Sequence, residues 1–361
     1  MKFDFLKRIC CPPEYLAMSS AGIEIGNKFI RFVEFGNEGG RTILSNFGEV
    51  SLGQDTVKDG QILNRDALVQ ALKVVKEKIS SDFVRVSIPE EGTYIFNTVI
   101  PRLNKNEIRS ALEFKLEENV PLKVDEAVFE YEIVNGKEDG NDDMFLGVSV
   151  ISRQMINNYL EVFELADLKI VSFELESKMA AKAIVPSNYN VTVLVVDIKR
   201  DSTILSVVIG GRVRFSSVVS VGESSMISCL KRINKDNSVS DKIPLSFLDL
   251  NDNLGVEAFD SLLNIYSILK DEIEKFNTYW LTQTANTETS RSDKPRKIVF
   301  CGRSAALPGF LNHISQSLGI ETILANVWVN AIDTDKFLPT LGFVDSLDYA
   351  TAIGLAMPCK E

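Results

Sequence analysis

Short apolar runs separated by glycine-rich or polar turns recur along the chain, and they predict strands that alternate with amphipathic helices. Three apolar or alternating runs lie near the start, at 21–25, 29–35 and 42–50. A second group of three lies beyond the middle, at 191–198, 203–209 and 213–219. Each group contains a glycine-rich turn, so each predicts a β-hairpin with a neighbouring strand.

Helical periodicity marks several longer segments. Apolar residues recur every three or four positions at 66–79, 104–120, 153–167 and 259–280. This is the spacing of a helix with one buried face. The second of these helices opens with Asn104 and Glu107, a pair typical of a capping box. We expect its apolar face to be core, and that face consists of Ile108, Leu112 and Leu116.

The segment 83–152 predicts a self-contained unit with the element order β–β–α–β–β. Its predicted strands lie at 84–88, 94–100, 128–133 and 144–151. The polar, acidic stretch 135–143 between the last two strands is interpreted as a solvated hairpin tip.

Two acidic residues occupy equivalent places in the two hairpin groups. Glu24 and Asp197 each lie near the end of an apolar strand, directly before a tight turn, about half the chain apart. A buried strand tolerates an acid poorly unless a partner offsets its charge. The pair therefore indicates a duplicated fold with a cleft, where the carboxylates hold hydrated Mg²⁺ and backbone amides approach phosphate. The alternative is that each acid merely ends a strand at a solvent edge.

A third motif favours the first of these alternatives, a duplicated fold with a cleft. The segment 298–310 reads as a strand, a turn at Gly302, and a Leu-Pro-Gly sequence that opens a helix. In α/β nucleotide-binding proteins a glycine at such a turn leaves room for a base and ribose. The motif is weak alone, but it gains meaning as the third in order after the two acidic hairpins.

Composition excludes several classes of chemistry. The net charge of −11 argues against a general nucleic-acid binder, which needs clustered Lys and Arg. The single histidine, His313, excludes most Ser–His, Cys–His and histidine–zinc schemes. Five irregularly spaced cysteines predict no disulfide framework and a reduced, cytosolic protein. No apolar run reaches the ~18 residues of a membrane span, and no secretory signal is expected at the start.

The acidic hairpins and the Gly302 turn, in this order, resemble the actin-like ATPase superfamily. Within it, the segment 108–133 (IRSALEFKLEENVPLKVDEAVFEYEI) is similar to the PilM family of type IV pilus assembly proteins. The segment 349–356 (YATAIGLA) resembles the closing helix of that family, and the leader resembles those of some members. The chain is also similar to the cell-division protein FtsA.

The resemblance implies an α/β, actin-like ATPase fold with two RNase H-like subdomains around a cleft. The inserted β–β–α–β–β unit then corresponds to subdomain 1C. The expected division is a leader at 1–16, subdomain 1A at 17–82, 153–187 and 344–361, subdomain 1C at 83–152, and subdomains 2A and 2B at 188–343, with 2B at about 223–290.

The resemblance also implies a site for ATP and Mg²⁺. Its candidate nucleotide-binding residues are Glu24, Gly26, Asn27, Lys28, Asp197, Lys199, Ser202, Thr203, Gly302, Arg303 and Ser304. The candidate Mg²⁺ ligands are Glu24 and Asp197. No catalytic residue is assigned.

Several of these positions depart from the family pattern. Glu24 stands where the family has Asp, and its longer side chain displaces the carboxylate by about an ångström, which matters for octahedral Mg²⁺. Lys199 replaces a glycine, and Arg303 and Ser304 stand where glycines are usual. These side chains either fill the nucleotide space or contact phosphate. A third alternative is that Lys199, Arg200 and Arg303 are plain surface charges. We expect weak ATP binding and little or no hydrolysis.

The resemblance implies a scaffold rather than an enzyme. It places the protein at the cytoplasmic face of the inner membrane, bound to the N-terminal tail of PilN, which pairs with PilO. It leaves open self-association into a ring or filament. Two other functions are weighed against it: an active ATPase or sugar-kinase-like enzyme of the superfamily, and an FtsA-like division filament, which would end in a membrane helix that is not seen here.

Overall fold

The computed structural model describes residues 20–135, 143–233, 243, 253–284 and 294–358. The statements below concern these residues. Several predicted features lie outside them: the leader at 1–16, most of the hairpin tip at 135–143, and part of the expected subdomain 2B at about 223–290.

The described chain alternates strands and helices. The strands are β1 (Ala21–Ile25), β2 (Phe29–Glu38), β3 (Arg41–Ser51), β4 (Val57–Lys58), β5 (Gln61–Ile62), β6 (Phe83–Ile88), β7 (Thr93–Pro101), β8 (Ala127–Asn135), β9 (Asp143–Ser152), β10 (Lys169–Leu175), β11 (Val193–Ile198), β12 (Thr203–Ile209), β13 (Arg212–Val219), β14 (Lys297–Cys301) and β15 (Glu321–Leu324). The helices are α1 (Arg65–Lys76), α2 (Lys105–Asn119), α3 (Arg153–Leu165), α4 (Glu176–Ile184), α5 (Glu223–Ile233), α6 (Asn253–Thr284), α7 (Phe310–Leu318), α8 (Phe343–Ser346) and α9 (Ala350–Ala356).

Two five-stranded sheets share one topology. The first has the order β10–β6–β1–β2–β3 and the second the order β13–β12–β11–β14–β15. In each sheet, the first three strands along the chain are antiparallel neighbours. The fourth pairs in parallel with the central strand, and the fifth pairs in parallel with the fourth. Glu24 and Asp197 hold the same penultimate position of the two central strands. The duplication expected from the sequence is therefore present in the fold.

A third sheet, with the order β7–β9–β8, is covered by α2. The capping box at Asn104 and Glu107 is confirmed. Ile108, Leu112 and Leu116 are buried against Leu146 and its neighbours on β9, which confirms that this helix face is core.

The order of the inserted unit was predicted wrongly. The segment predicted as its first strand is β6, which pairs in parallel with β1 and β10 in the first large sheet. Val84 and Val86 on β6 are fully buried in that core, which fixes the strand there. The insertion is therefore β–α–β–β, formed by β7, α2, β8 and β9. The remaining subdomain bounds stay predictions.

Two helices, α4 and α9, lie between the large sheets and join them. One continuous core contains Val33 of the first sheet, Val195 of the second, and the alanine-rich faces of α4 and α9. Gly354 of α9 allows this contact, because a Cβ at this position would lie 2.0 Å from the Met179 carbonyl oxygen. The closing helix predicted at 349–356 thus returns to the first sheet.

The outer faces of the sheets are covered by the amphipathic helices. The predicted apolar face of α6 packs on the second sheet with α5 and α7, and His313 lies at ring contact with Phe259 and Tyr266. His313 therefore packs against this core. Among the described helices, none combines the length and apolarity needed to cross a membrane.

Candidate cleft site

Glu24 and Asp197 face each other across the cleft between the two large sheets. Both are almost fully buried, with 3% and 4% of their surface exposed. They lie there because each is the penultimate residue of a buried central strand and the two strands end at the same cleft. The geometry brings together the two acids that the sequence identified.

The cation between these acids is the ammonium group of Lys199, which follows β11. Its Nζ donates to Glu24 Oε1 and to Thr351 Oγ1 (2.8 Å), and it lies 3.2 Å from Asp197 Oδ2. Three partners use the full donor capacity of an ammonium group. The first and second lobes are the halves of the molecule built on the first and second large sheets. Since Glu24 lies on a strand of the first sheet and Lys199 follows a strand of the second, Lys199 connects the two lobes.

Burial and charge set the proton affinities of this cluster. Burial would lower the pKa of Lys199, but Asp197, Glu24 and Glu176 outweigh it and hold that pKa well above its ordinary value. Burial raises the pKa of Asp197, an effect that Lys199 opposes and Glu24 reinforces. Burial likewise raises the pKa of Glu176 well above its ordinary value. Lys199 is therefore protonated and positively charged, and the carboxyl groups around it are hardly exposed to solvent.

The first-loop residues line a narrow cavity at the cleft mouth. Asn27 Nδ2 donates to Asp201 Oδ2 across the cleft (3.2 Å), and Asn27 Oδ1 accepts from the Asp59 amide (3.1 Å). Gly26 and Lys28 form part of the same wall. The volume of this cavity is about 50 Å³, whereas small-molecule sites usually reach ~300–1,000 Å³. A nucleotide does not fit in this cavity.

The second-loop hydroxyl groups are committed to protein partners. Ser202 Oγ donates to Glu91 Oε1 across the cleft (2.8 Å). Thr203 Oγ1 donates to the Val221 carbonyl within its own lobe (2.6 Å), and Thr203 is fully buried. The structure therefore places Ser202 at the cleft and Thr203 behind it.

The predicted adenosine loop is filled by its own side chain. Arg303 is 7% exposed; its guanidinium group pairs with Asp345 and donates through Nε to the Ile243 carbonyl (3.2 Å). Its backbone amide donates to Asp348 Oδ1 (2.8 Å). Ser304 is buried directly behind this residue.

Gly302 has a structural reason to be glycine. Its φ is +93°, and a Cβ there would lie 2.2 Å from the Ile198 carbonyl oxygen. Its presence therefore reflects the close approach of the loop to β11 and is not evidence for a ribose contact.

These observations test whether the site fits ATP and Mg²⁺, and the residues present do not fit. A Lys ammonium lies between the two candidate metal ligands, Arg303 fills the adenosine loop, and the cavity is too small for a nucleotide. Mg²⁺ needs near-octahedral oxygen ligands at ~2.0–2.1 Å, and a bound ammonium group cannot share that position.

Sequence reasoning missed several residues of the cleft. Glu176 opens α4, Thr351 lies on α9, and Asp348 accepts from Arg303 and pairs with Arg31 (3.5 Å). The available signal was an acid inside the apolar stretch around Leu175, which resembles the setting of Glu24. Thr351 gave no signal, because a threonine in a small-residue helix is ordinary.

Two sheets of one topology, joined by two central helices around a cleft with paired acids, define an actin-like fold. This confirms the predicted fold class. A family sequence model described as "Type IV pilus assembly protein PilM" matches residues 22–360. The chain belongs to this family, and the resemblance seen in the sequence is confirmed. The match does not favour an FtsA-like filament or an active enzyme of the superfamily.

Solved structures of similar proteins agree with the fold. A structure titled "PilM-PilN type IV pilus biogenesis complex" is 17% identical, covers 94% of this chain and 98% of its own, and has a TM-score of 0.74. Weaker matches are the ethanolamine utilization protein EutJ from Carboxydothermus hydrogenoformans (16% identical, 96% and 90% covered, TM-score 0.47) and MreB5 of Spiroplasma citri bound to ADP (14%, 89% and 94%, 0.49). No curated protein matches the sequence.

Proposed function

We propose that this chain is a scaffold of type IV pilus assembly that binds the N-terminal cytoplasmic tail of PilN at the inner face of the cytoplasmic membrane. Membership of the PilM family over residues 22–360 is the observation that carries this proposal. The similarity of fold to a PilM–PilN complex supports it, since that similarity extends over 94% of the chain. Self-association into a ring or filament stays a prediction.

The cavity between the small sheet and the second lobe is the proposed tail site. Its volume is about 330 Å³, and its walls come from β7, β13 and the end of α2. Both β7 and β13 are edge strands of their sheets. Edge strands offer main-chain hydrogen bonds to an extended peptide, and neighbouring side chains give specificity.

Charge favours a basic tail at this place. Glu91 is exposed at the rim of the cavity, and the chain as a whole carries a net charge of −11. Cytoplasmic segments next to a membrane span are commonly rich in Lys and Arg. We expect peptide affinity to fall as ionic strength rises.

Substitution of Tyr94 tests directly whether this cavity is the binding site of the tail. The Tyr94 ring is 38% exposed on the cavity wall, and loss of a contacting aromatic residue commonly weakens an interface by at least tenfold. The assay is fluorescence anisotropy with a labelled peptide of the N-terminal tail of PilN from the same organism. We expect Tyr94→Ala to weaken binding about tenfold. Phe114→Ala is the matched control, because this aromatic residue is 76% exposed on α2 and does not line the cavity.

The outcomes distinguish whether the chain binds the PilN tail from whether the tail binds in this cavity. Failure of the wild-type chain to bind the tail peptide at any salt concentration would refute the proposed function. Binding that Tyr94→Ala leaves unchanged would keep the function and reject the cavity. A scrambled peptide of the same composition controls for binding by charge alone.

A further inference from the structure

We propose that Lys199 takes the place of a divalent cation between Glu24 and Asp197, so that the chain's own ammonium group holds the cleft closed without Mg²⁺ or nucleotide. This inference does not depend on which peptide the scaffold binds. It follows from the observation that the candidate nucleotide residues do not fit ATP and Mg²⁺.

The position of Lys199 carries the first step. Its Nζ contacts one carboxylate of each lobe, and the third partner is the hydroxyl of Thr351, 2.8 Å away. A hydrated metal ion between paired acids would satisfy the same groups with charge and oxygen contacts. The ammonium group does so without a ligand, because it is covalently part of β11's own loop.

The charge balance carries the second step. Glu24 and Asp197 are at most 4% exposed, and the Lys199 ammonium group lies between their two carboxylates. Without the ammonium group these carboxylates would repel one another in a poorly solvated place. The lobes would then separate, or the carboxylates would recruit a cation from solution. Among the described residues, Lys199 is the cation that pairs with both Glu24 and Asp197.

The loop predicted to contact adenosine gives a second observation that supports the inference, through its residue Arg303. Its guanidinium group is buried and paired with Asp345, and it contacts the Ile243 carbonyl. The loop that would accommodate a nucleoside is thus tied to neighbouring protein groups. Lys199 and Arg303, the two positive departures from the family pattern, are therefore both used in internal contacts.

Smaller contacts close the cleft at its rim. Asn27 donates to Asp201 and Ser202 donates to Glu91, and each bond crosses from one lobe to the other. At the small sheet, Asn97 Nδ2 donates to the Arg214 carbonyl (3.0 Å). These bonds join protein groups of the two lobes directly, as a closed cleft requires.

The test is thermal unfolding of the full chain with Mg²⁺, Mn²⁺ or Mg²⁺–ATP. We expect the wild-type melting temperature to change by less than about 1 °C with each addition, since a ligand that does not bind the folded state cannot stabilise it. We expect Lys199→Met to melt on the order of 5–10 °C lower, because it leaves buried carboxylates without a cation. Millimolar Mn²⁺ should restore part of that loss.

Two further variants keep the test decisive. Lys178→Met is the matched control, because Lys178 pairs with Glu132 (2.8 Å) at a more exposed place; it should show a small loss and no metal response. If Lys199→Met does not fold, the double variant Lys199→Met/Asp197→Asn should fold, because it removes one of the repelling charges.

Three results would overturn the inference. The first is a rise in the wild-type melting temperature with Mg²⁺–ATP, confirmed by calorimetric binding, which would make Lys199 a phosphate contact. The second is an unchanged melting temperature for Lys199→Met. The third is a destabilised Lys199→Met that Mn²⁺ and Mg²⁺ do not restore, which would show that the carboxylates do not form a cation position.

Discussion

Glu223, the first residue of α5, is expected to make stability fall as the pH rises. Its carboxylate is almost completely buried; Oε2 lies 3.3 Å from Arg200 Nη1, and within the described chain Oε1 has no hydrogen-bond partner. Burial raises the pKa of Glu223 to about 7, reinforced by Asp348 and opposed by Arg200 and Arg31. The ordinary value is 4.5. The folded protein therefore keeps this proton over a range of pH where the unfolded chain has released it.

The sign and size of the effect follow from this difference. Between pH 4.5 and about 7 the folded state binds more protons, so the free energy of unfolding falls as the pH rises through this window. From pH 5 to pH 8 the loss is roughly 2–3 kcal/mol at 1.36 kcal/mol per pKa unit. The position at a helix start favours the ionised form by only ~0.3–1 kcal/mol, so it does not reverse the sign.

The variant Glu223→Gln isolates this contribution, because glutamine has nearly the same shape and does not titrate. We expect it to gain roughly 2–3 kcal/mol relative to wild type between pH 5 and pH 8. The assay is urea unfolding followed by circular dichroism at several pH values in this range. A difference that stays constant with pH, or that turns against the glutamine variant at pH 8, would refute the reasoning and show that pairing with Arg200 outweighs burial.

Three further predictions concern packing. Leu112→Ala should remove about 2–5 kcal/mol from the core of the small sheet, so hydrogen exchange should accelerate in β7 and β9 but not in the large sheets. Gly302→Ala should lower the melting temperature by several degrees, since the new methyl group collides with the Ile198 carbonyl oxygen; an unchanged value would contradict this contact. Tyr159→Phe should cost about 1 kcal/mol in urea unfolding through loss of the hydrogen bond to the Gly60 carbonyl.

Much of the architecture could be predicted because it is encoded locally. Glu24 and Asp197 lie in apolar strands with equivalent flanking residues. This similarity was sufficient to predict that the fold is duplicated. The helix after Asn104 was readable from its cap and its apolar face. By contrast, strand 83–88 was assigned to the inserted unit, because only a short turn separates it from β7. Its parallel partners are distant in the chain.

The interior of the cleft could be predicted only in part. The sequence named Lys199 and Arg303 as departures from the family pattern and left three roles open for them. The choice between those roles depends on Glu24 and Thr351, which lie 175 and 152 positions from Lys199. Local patterns carry no information on such contacts, since they depend on how two lobes meet. Retention of Gly302 was misleading for the same reason, because its close neighbour is on another strand.

The small sheet leaves and rejoins the main chain at nearly one point. Thr93, at the start of β7, pairs with Ile151, close to the end of β9. Because β7 and β9, the first and last strands of the inserted unit, run side by side, the two points that join this unit to the rest of the chain lie only a few ångströms apart. The unit is therefore a cassette, a segment attached to the framework at one place. Such a cassette can be exchanged between homologous chains without altering the strand order of either large sheet. Partner recognition can then diversify in evolution while the two-lobed framework is conserved.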